Sequence, residues 1–187
     1  MKPTKLYFFT LSFFFLSTDF VFGVEPKAIE CVIEMQKKDL WQDWKINNKN
    51  IPAQDWMGKR MSGKGKYIYK NKQDRKCTYI GEFVNGEMTG FGHLQCESSG
   101  YVGEFLKGKF HGCGSFFGSA ASQYSGQFRN GKFHGYGDHV GTELKYPRQS
   151  RYRGEFRDGK RHGIGECIWG VTEVTGPCEY KNGDVVK

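Results

Sequence analysis

The chain has 187 residues and a formal net charge of +8, with 26% charged and 16% aromatic residues. That length holds one domain or one short array of repeats. The excess charge is local: residues 58–76 carry eight basic groups against Asp74, whereas residues 24–57 are net −1 and residues 77–187 net +1, which excludes a protein that is basic throughout.

The first segment, "MKPTKLYFFTLSFFFLSTDFVFG", opens with Lys2 and Lys5, continues with an apolar run from Leu6 to Leu16 and closes on Val21-Phe22-Gly23. This is the order of a secretory leader, with cleavage expected after Gly23. The run is short of the roughly 20 residues of a membrane span, and Asp19 interrupts it. The chain is therefore expected to be secreted or exported, into an extracellular, periplasmic or endomembrane-lumenal space. Six cysteines follow the leader: Cys31, Cys77, Cys96, Cys113, Cys167 and Cys178. An even number in an exported chain points to disulfides.

Within residues 24–57, Ile29, Val32, Ile33, Leu40 and Trp44 recur at helical spacing, and Pro26 suits a helix start. The pattern predicts an amphipathic helix over about residues 26–46, then a linker, "NNKNIP". Glu30, Glu34, Asp39 and Asp43 make this helix a poor ligand for anionic lipid. Its expected role is to cover an edge or an aromatic face of the sheet that follows.

Next comes the basic stretch: Lys59, Arg60, Lys64, Lys66, Lys70, Lys72, Arg75 and Lys76. One reading is a solvated hairpin whose lysines discourage edge pairing. The other is a contact with an anionic surface, such as phospholipid head groups, acidic glycans or an acidic protein face. Nucleic acid is not expected, because the chain reads as exported and holds no base-reading module.

From Tyr79 onward the chain repeats itself. "YVGEFLKGKFHGCG" (101–114), "YSGQFRNGKFHGYG" (124–137) and "YRGEFRDGKRHGIG" (152–165) are near copies, and "YIGEFVNGEMTGFG" (79–92) is a looser one. The aromatic anchors Phe83, Phe105, Phe128, Phe156 and Tyr180 are 22, 23, 28 and 24 residues apart. "GKRMSGKG" before them and "CEYKNGD" after them are partial units, as the ends of a stacked array should be. Alternation of Tyr124, Gly126 and Phe128 with polar residues predicts a strand with one apolar face. The pairs Asn85-Gly86, Lys107-Gly108, Asn130-Gly131, Asp158-Gly159 and Asn182-Gly183 predict tight type I′ turns. A second strand follows, with Leu94, Phe116, Cys167 and Trp169 among its apolar residues. Each unit is thus a β-hairpin, and the bare backbone at Gly126 makes room for Tyr124 and Phe128. The same argument assigns a repeat core to Tyr79, Gly81, Phe83, Tyr101, Gly103, Phe105, Tyr124, Gly126, Phe128, Tyr152, Gly154 and Phe156.

The string "YxGxFxxGxxHGxG" resembles the MORN (membrane occupation and recognition nexus) repeat. The resemblance covers residues 58–187, most closely 79–165. It implies an all-β fold, an elongated, twisted single-layer antiparallel sheet of stacked hairpins, used as a scaffold for protein partners; phospholipid binding is a further implication. It brings no catalytic module with it.

Two columns in this register were weighed for chemistry. His111, His134 and His162 share one position, but neighbouring units stand roughly 10 Å apart, too far for zinc ligands about 2 Å from one metal. A structural role near the turn is expected. Glu82, Glu104, Gln127, Glu155 and Glu179 form the second column, which reads as a solvated face; a hydrolase built on it would need a cleft. No cofactor or metal is expected. Among the cysteines, Cys167 and Cys178 are expected to stand directly opposite one another across a turn centred on Thr172-Glu173 and to form a disulfide. Cys77 and Cys96 could pair across the Asn85-Gly86 hairpin; a bond between the remaining Cys31 and Cys113 is left open. The expected function is an exported, non-catalytic scaffold that binds a protein partner through an exposed sheet surface. The alternative is binding of anionic phospholipid or acidic glycan through residues 58–76.

Overall fold

The computed structural model describes residues 30–31, 62–118, 122–143, 146–169 and 174–186, with backbone alone at 142–143 and 146–150. Eleven strands form one open antiparallel sheet, each paired with its neighbours in sequence. They are β1 (Gly63–Lys70), β2 (Lys76–Val84), β3 (Glu87–Cys96), β4 (Gly100–Leu106), β5 (Lys109–Phe117), β6 (Gln123–Arg129), β7 (Lys132–Glu143), β8 (Tyr146–Arg157), β9 (Lys160–Trp169), β10 (Val174–Lys181) and β11 (Asp184–Val185). At about 4.8 Å per strand the sheet is roughly 50 Å across.

The turns have the predicted chemistry. Asn85, Lys107, Asn130, Asp158 and Asn182 have φ of 49° to 54°, and the glycine after each is also positive. Two left-handed residues in succession define the I′ turn, whose twist matches that of the strands it joins. Each turn after the first also fastens its unit to the preceding one. The amides of Gly108, Gly131, Gly159 and Gly183 donate to the carbonyls of Met88, Phe110, Phe133 and Arg161, at 2.8 to 2.9 Å.

The core lies on one face. Tyr79, Tyr101, Tyr124 and Tyr152 are completely buried, although the sheet is a single layer. Each ring folds back along its own strand over a pair of facing glycines: Gly81 and Gly92, Gly103 and Gly114, Gly126 and Gly137, Gly154 and Gly165. A Cβ on Gly126 would lie 2.5 Å from the Gly137 Cα and 2.9 Å from the Tyr124 hydroxyl. Every hydroxyl finds carbonyls three and ten residues on. Tyr124 donates to Gln127 at 2.8 Å and lies 3.3 Å from the His134 carbonyl, and the other three repeat the pattern. Edge-on phenylalanines close the row. Tyr101 meets Phe105 of its own unit at 5.1 Å and Phe128 of the next at 5.0 Å. One ring therefore joins two units.

Past each glycine pair the register slips by a bulge, with Gly90, Gly112, Gly135 and Gly163 in the left-handed region. The bulge frees backbone amides, and the acidic column takes them up: Glu104 Oε1 accepts from the Cys113 amide and Gln127 Oε1 from the Tyr136 amide, both at 3.1 Å. These side chains are local plugs for the bulge, a more specific role than a solvated face.

Three disulfides join Cys77 with Cys96, Cys167 with Cys178 and Cys31 with Cys113. Cys77 and Cys96 are direct partners with Cα atoms 4.1 Å apart. Cys167 and Cys178, expected face to face, are instead diagonal. Cys167 pairs with Gly176 and Cys178 with Gly165, and their Cα atoms are 5.9 Å apart. The repeat register decides this. Gly165 faces Cys178 as Gly114 faces Gly126, and Gly176 stands where other units have the tyrosine, so the disulfide occupies the space that a ring fills elsewhere. Of the predicted helix over 26–46, Glu30 and Cys31 are helical and the rest lies outside the described residues. Cys31 is tied to Cys113, whose strand neighbour Gly114 faces the Tyr101 ring. The anchor is thus on the face opposite the tyrosines.

Substituting Gly126 by Val should cost about 1–3 kcal/mol or more, because the added atoms meet backbone on one side and a packed ring on the other. Ser125→Val, on the other face, forfeits one hydroxyl contact with Ser115 at 2.9 Å and should cost markedly less. Thermal denaturation of the two variants checks the face assignment; equal losses would refute it.

Candidate binding surfaces

Strand alternation sorts the basic residues. Tyr67 and Tyr69 share the face of Tyr79 and Cys77, their partners, so Lys64, Lys66, Lys70 and Lys76 stand on the opposite face. Lys64, Lys70 and Lys76 are exposed and Lys66 partly so. Lys70 is paired with Asp74 at 2.8 Å, and Arg75 donates to Ser98 Oγ at 2.8 Å. Lys72 is exposed in the connecting turn. Lys59 and Arg60 lie outside the described residues. The structure thus gathers four lysines of the patch on β1 and β2 and ties one of them to a carboxylate.

The tyrosine face offers a different surface. Packed against the buried rings, but only partly buried, are Tyr67, Tyr69, Met88, Leu94, Phe110, Phe116, Phe133 and Trp169. They form an aromatic strip that runs across the sheet from β1 to β9. Phe110 stacks on Tyr101 and Phe133 on Tyr124, with ring centroids 3.8 Å apart in both cases. The opposite face changes character along its length. Ile80, His93 and Val102 are successive partners in the first units, with His93 8% and Val102 6% exposed. Farther on, the same row holds Asp138, Arg153 and Glu166. There Asp138 bridges Arg151 and Arg153, and Arg153 reaches Glu166 at 3.3 Å.

Two histidines of the column support turns. Nδ1 of His134 accepts from the Asp158 amide and that of His162 from the Asn182 amide, each at 3.4 Å, so each ring steadies the next unit's turn. Burial, with a contribution from Arg129, holds His134 below the ordinary imidazole range. Among the described residues no group of three or more His, Cys, Asp or Glu could hold a metal ion, and no helix is long and apolar enough to cross a membrane.

Two polar residues on the tyrosine face were missed in the sequence, although the repeat alignment marks both. Arg161 stands where Phe110 and Phe133 stand in the preceding units, and His139 where Leu94 and Phe116 stand. Arg161 is 9% exposed, with its guanidinium carbon 5.3 Å from the ring centres of both Tyr152 and Tyr180. It donates to the Tyr180 hydroxyl at 2.9 Å and meets His139 Nδ1 at 3.3 Å. Burial first and the neighbouring Arg161 charge second push His139 down to about 4; burial pushes His93 to about 4 as well.

With this geometry in view, the family comparison is specific. The MORN repeat model matches residues 55–73, 79–100, 101–119, 124–140 and 152–171. The chain belongs to the MORN-repeat family, and its repeats are consistent with a binding scaffold. A search of curated proteins returns no match. β10 and β11 continue the hairpin pattern beyond the last matched residue.

The two depressed histidines predict a pH dependence. Both are neutral in the fold at pH 7, while the unfolded chain takes up their protons below about 6.5. Their contribution is therefore complete above about 6.5 and is lost as the pH falls towards 4. The melting temperature should drop by roughly 3–8 °C between pH 7 and 4.5, and His139→Phe should reduce that drop. An unchanged drop in this variant would show that His139 does not titrate as described.

Proposed function

We propose that this protein is an exported, non-catalytic MORN scaffold that binds a protein partner through its tyrosine face. The half-buried aromatic strip carries this reading. Contiguous aromatic surface held by a rigid sheet is the usual anchor of a protein interface, and the strip lies beside fully buried rings that fix its shape. Three disulfides fit an oxidising, extracellular or lumenal setting, which supports reading residues 1–23 as a cleaved leader.

Cys31 is anchored at Cys113, on the face opposite the tyrosines, and Val102 and His93 are buried on that same face. In this proposal the tyrosine face is the one left for the partner.

The alignment of Lys64, Lys66, Lys70 and Lys76 on one face favours a second reading, contact with anionic lipid or glycan. The two separate in one experiment. The mature protein is immobilised and used to capture partners from the exported fraction at low and high salt, and in parallel sedimented with phosphatidylserine vesicles. The scaffold reading expects capture that persists at high salt and is lost in Phe116→Ser. The lipid reading expects vesicle binding that salt abolishes, and that disappears when the four lysines become glutamine, since each is worth roughly 1 kcal/mol near such a surface. Salt-resistant capture unaffected by Phe116→Ser would overturn the proposed face.

A further inference from the structure

We propose that the cleft on the tyrosine face over β7 to β11 is a carboxylate-recognition site, and that it receives an acidic side chain flanked by an aromatic one from the protein partner. The partner's identity as a protein rests on the scaffold reading above; the site itself stands on the geometry of this cleft. It has a volume of about 390 Å³, and its lining includes Phe133, His139, Phe156, Lys160, Arg161 and Asp184.

The preceding units show what this place contains when it only builds the core. At the position of Arg161 they have Phe110 and Phe133, each stacked on its tyrosine; at the position of His139 they have Leu94 and Phe116. The two departures fall in adjacent units, His139 in the third and Arg161 in the fourth, and they touch each other across 3.3 Å. A guanidinium between two tyrosine rings is held by cation–π attraction on both sides. Its Tyr180 and His139 contacts fix the plane of the fork, and a fixed planar fork suits a carboxylate. His139 meets Arg161 through Nδ1 and lies 3.5 Å from Ser122 Oγ through Nε2, so the ring acts as a neutral positioning group. Lys160 adds a second positive charge at the exposed rim; Asp184, also exposed, brings one negative charge there. The charged side chains lining the cleft thus sum to +1. Phe133 and Phe156 form an apolar wall beside the charge, which favours an aromatic neighbour to the acid over a bare anion.

The experiment uses the full mature chain and the capped tripeptide acetyl-Phe-Glu-Phe-amide, followed by NMR through the Arg161 Nε–H and His139 ring signals. A glutamine version of the tripeptide and free acetate serve as the other arms. The site predicts shifts in both signals with the glutamate peptide, binding at least tenfold weaker for the glutamine peptide, and a weaker effect from acetate than from the peptide. Arg161→Phe restores the ring found in the preceding units, so it should keep the melting temperature within a few degrees and abolish the glutamate preference. Should that variant unfold, the glutamate-to-glutamine ratio on the wild-type chain decides alone. Equal binding of the two peptides, no shift up to ~5 mM peptide, or an undiminished preference in a folded Arg161→Phe would overturn the site. Acetate acting as strongly as the peptide would overturn the aromatic component. None of these results bears on the aromatic strip, which the capture experiment tests separately.

Discussion

A tyrosine ring lying on bare backbone is the contact on which this sheet depends. A single layer of strands has no opposing layer to bury its apolar face, so it must bury that face within its own thickness. The facing glycines remove every Cβ beneath the ring, the ring drops onto the peptide planes, and its hydroxyl reaches carbonyls freed by the bulge. Each fully buried ring contributes roughly 2–3 kcal/mol from lost apolar exposure, and its hydroxyl satisfies backbone oxygens that would otherwise be unpaired. The edge-on phenylalanine from the next hairpin then makes one unit's core part of its neighbour's. Stability is thereby distributed along the array by nearest-neighbour contacts.

The same constraint explains how the ends and irregular units are built. The C-terminal hairpin has a glycine where a tyrosine is expected, so there is no ring to lay on the glycine row, and the Cys167–Cys178 disulfide lies in that space. The fourth unit lacks the stacking phenylalanine, and Arg161 takes its place with its charge held between two rings. Glu104 and Gln127 plug their bulges, and His134 and His162 brace the next turn. These side chains thus serve the architecture, and the MORN repeat is a non-catalytic family. Binding is left to whichever surfaces the architecture does not consume.

Much of this was legible in the sequence because each feature has a local cause. Asn-Gly and Asp-Gly name their turn, Tyr-x-Gly-x-Phe names its face, and the repeat spacing names the stacking. The Cys167–Cys178 bond was legible but its diagonal geometry was not, because a turn centred on Thr172-Glu173 would set the two residues face to face, whereas the glycine row sets the register from 165 to 178. Arg161 and His139 were not legible as a pair for a different reason: they are 22 residues apart and come together only through the pairing of β7, β8 and β9. The visible signal was a break in the repeat: an arginine in "GKRHG" where "GKFHG" stands twice.

The two faces now have different physical characters. One is apolar and largely aromatic, with His139 and Arg161 breaking the row near its C-terminal end. The other carries the Cys31 anchor and an apolar row in its first units and a charged network in its last. The sealing of four tyrosines onto glycine backbone can be read directly by spectrophotometric titration. Burial raises the phenol pKa of Tyr79, Tyr101, Tyr124 and Tyr152 far above the ordinary value of about 10. These four should stay protonated as long as circular dichroism reports the native sheet, and ionise only as it unfolds. Ionisation of every tyrosine near pH ~10, with the sheet intact, would contradict it.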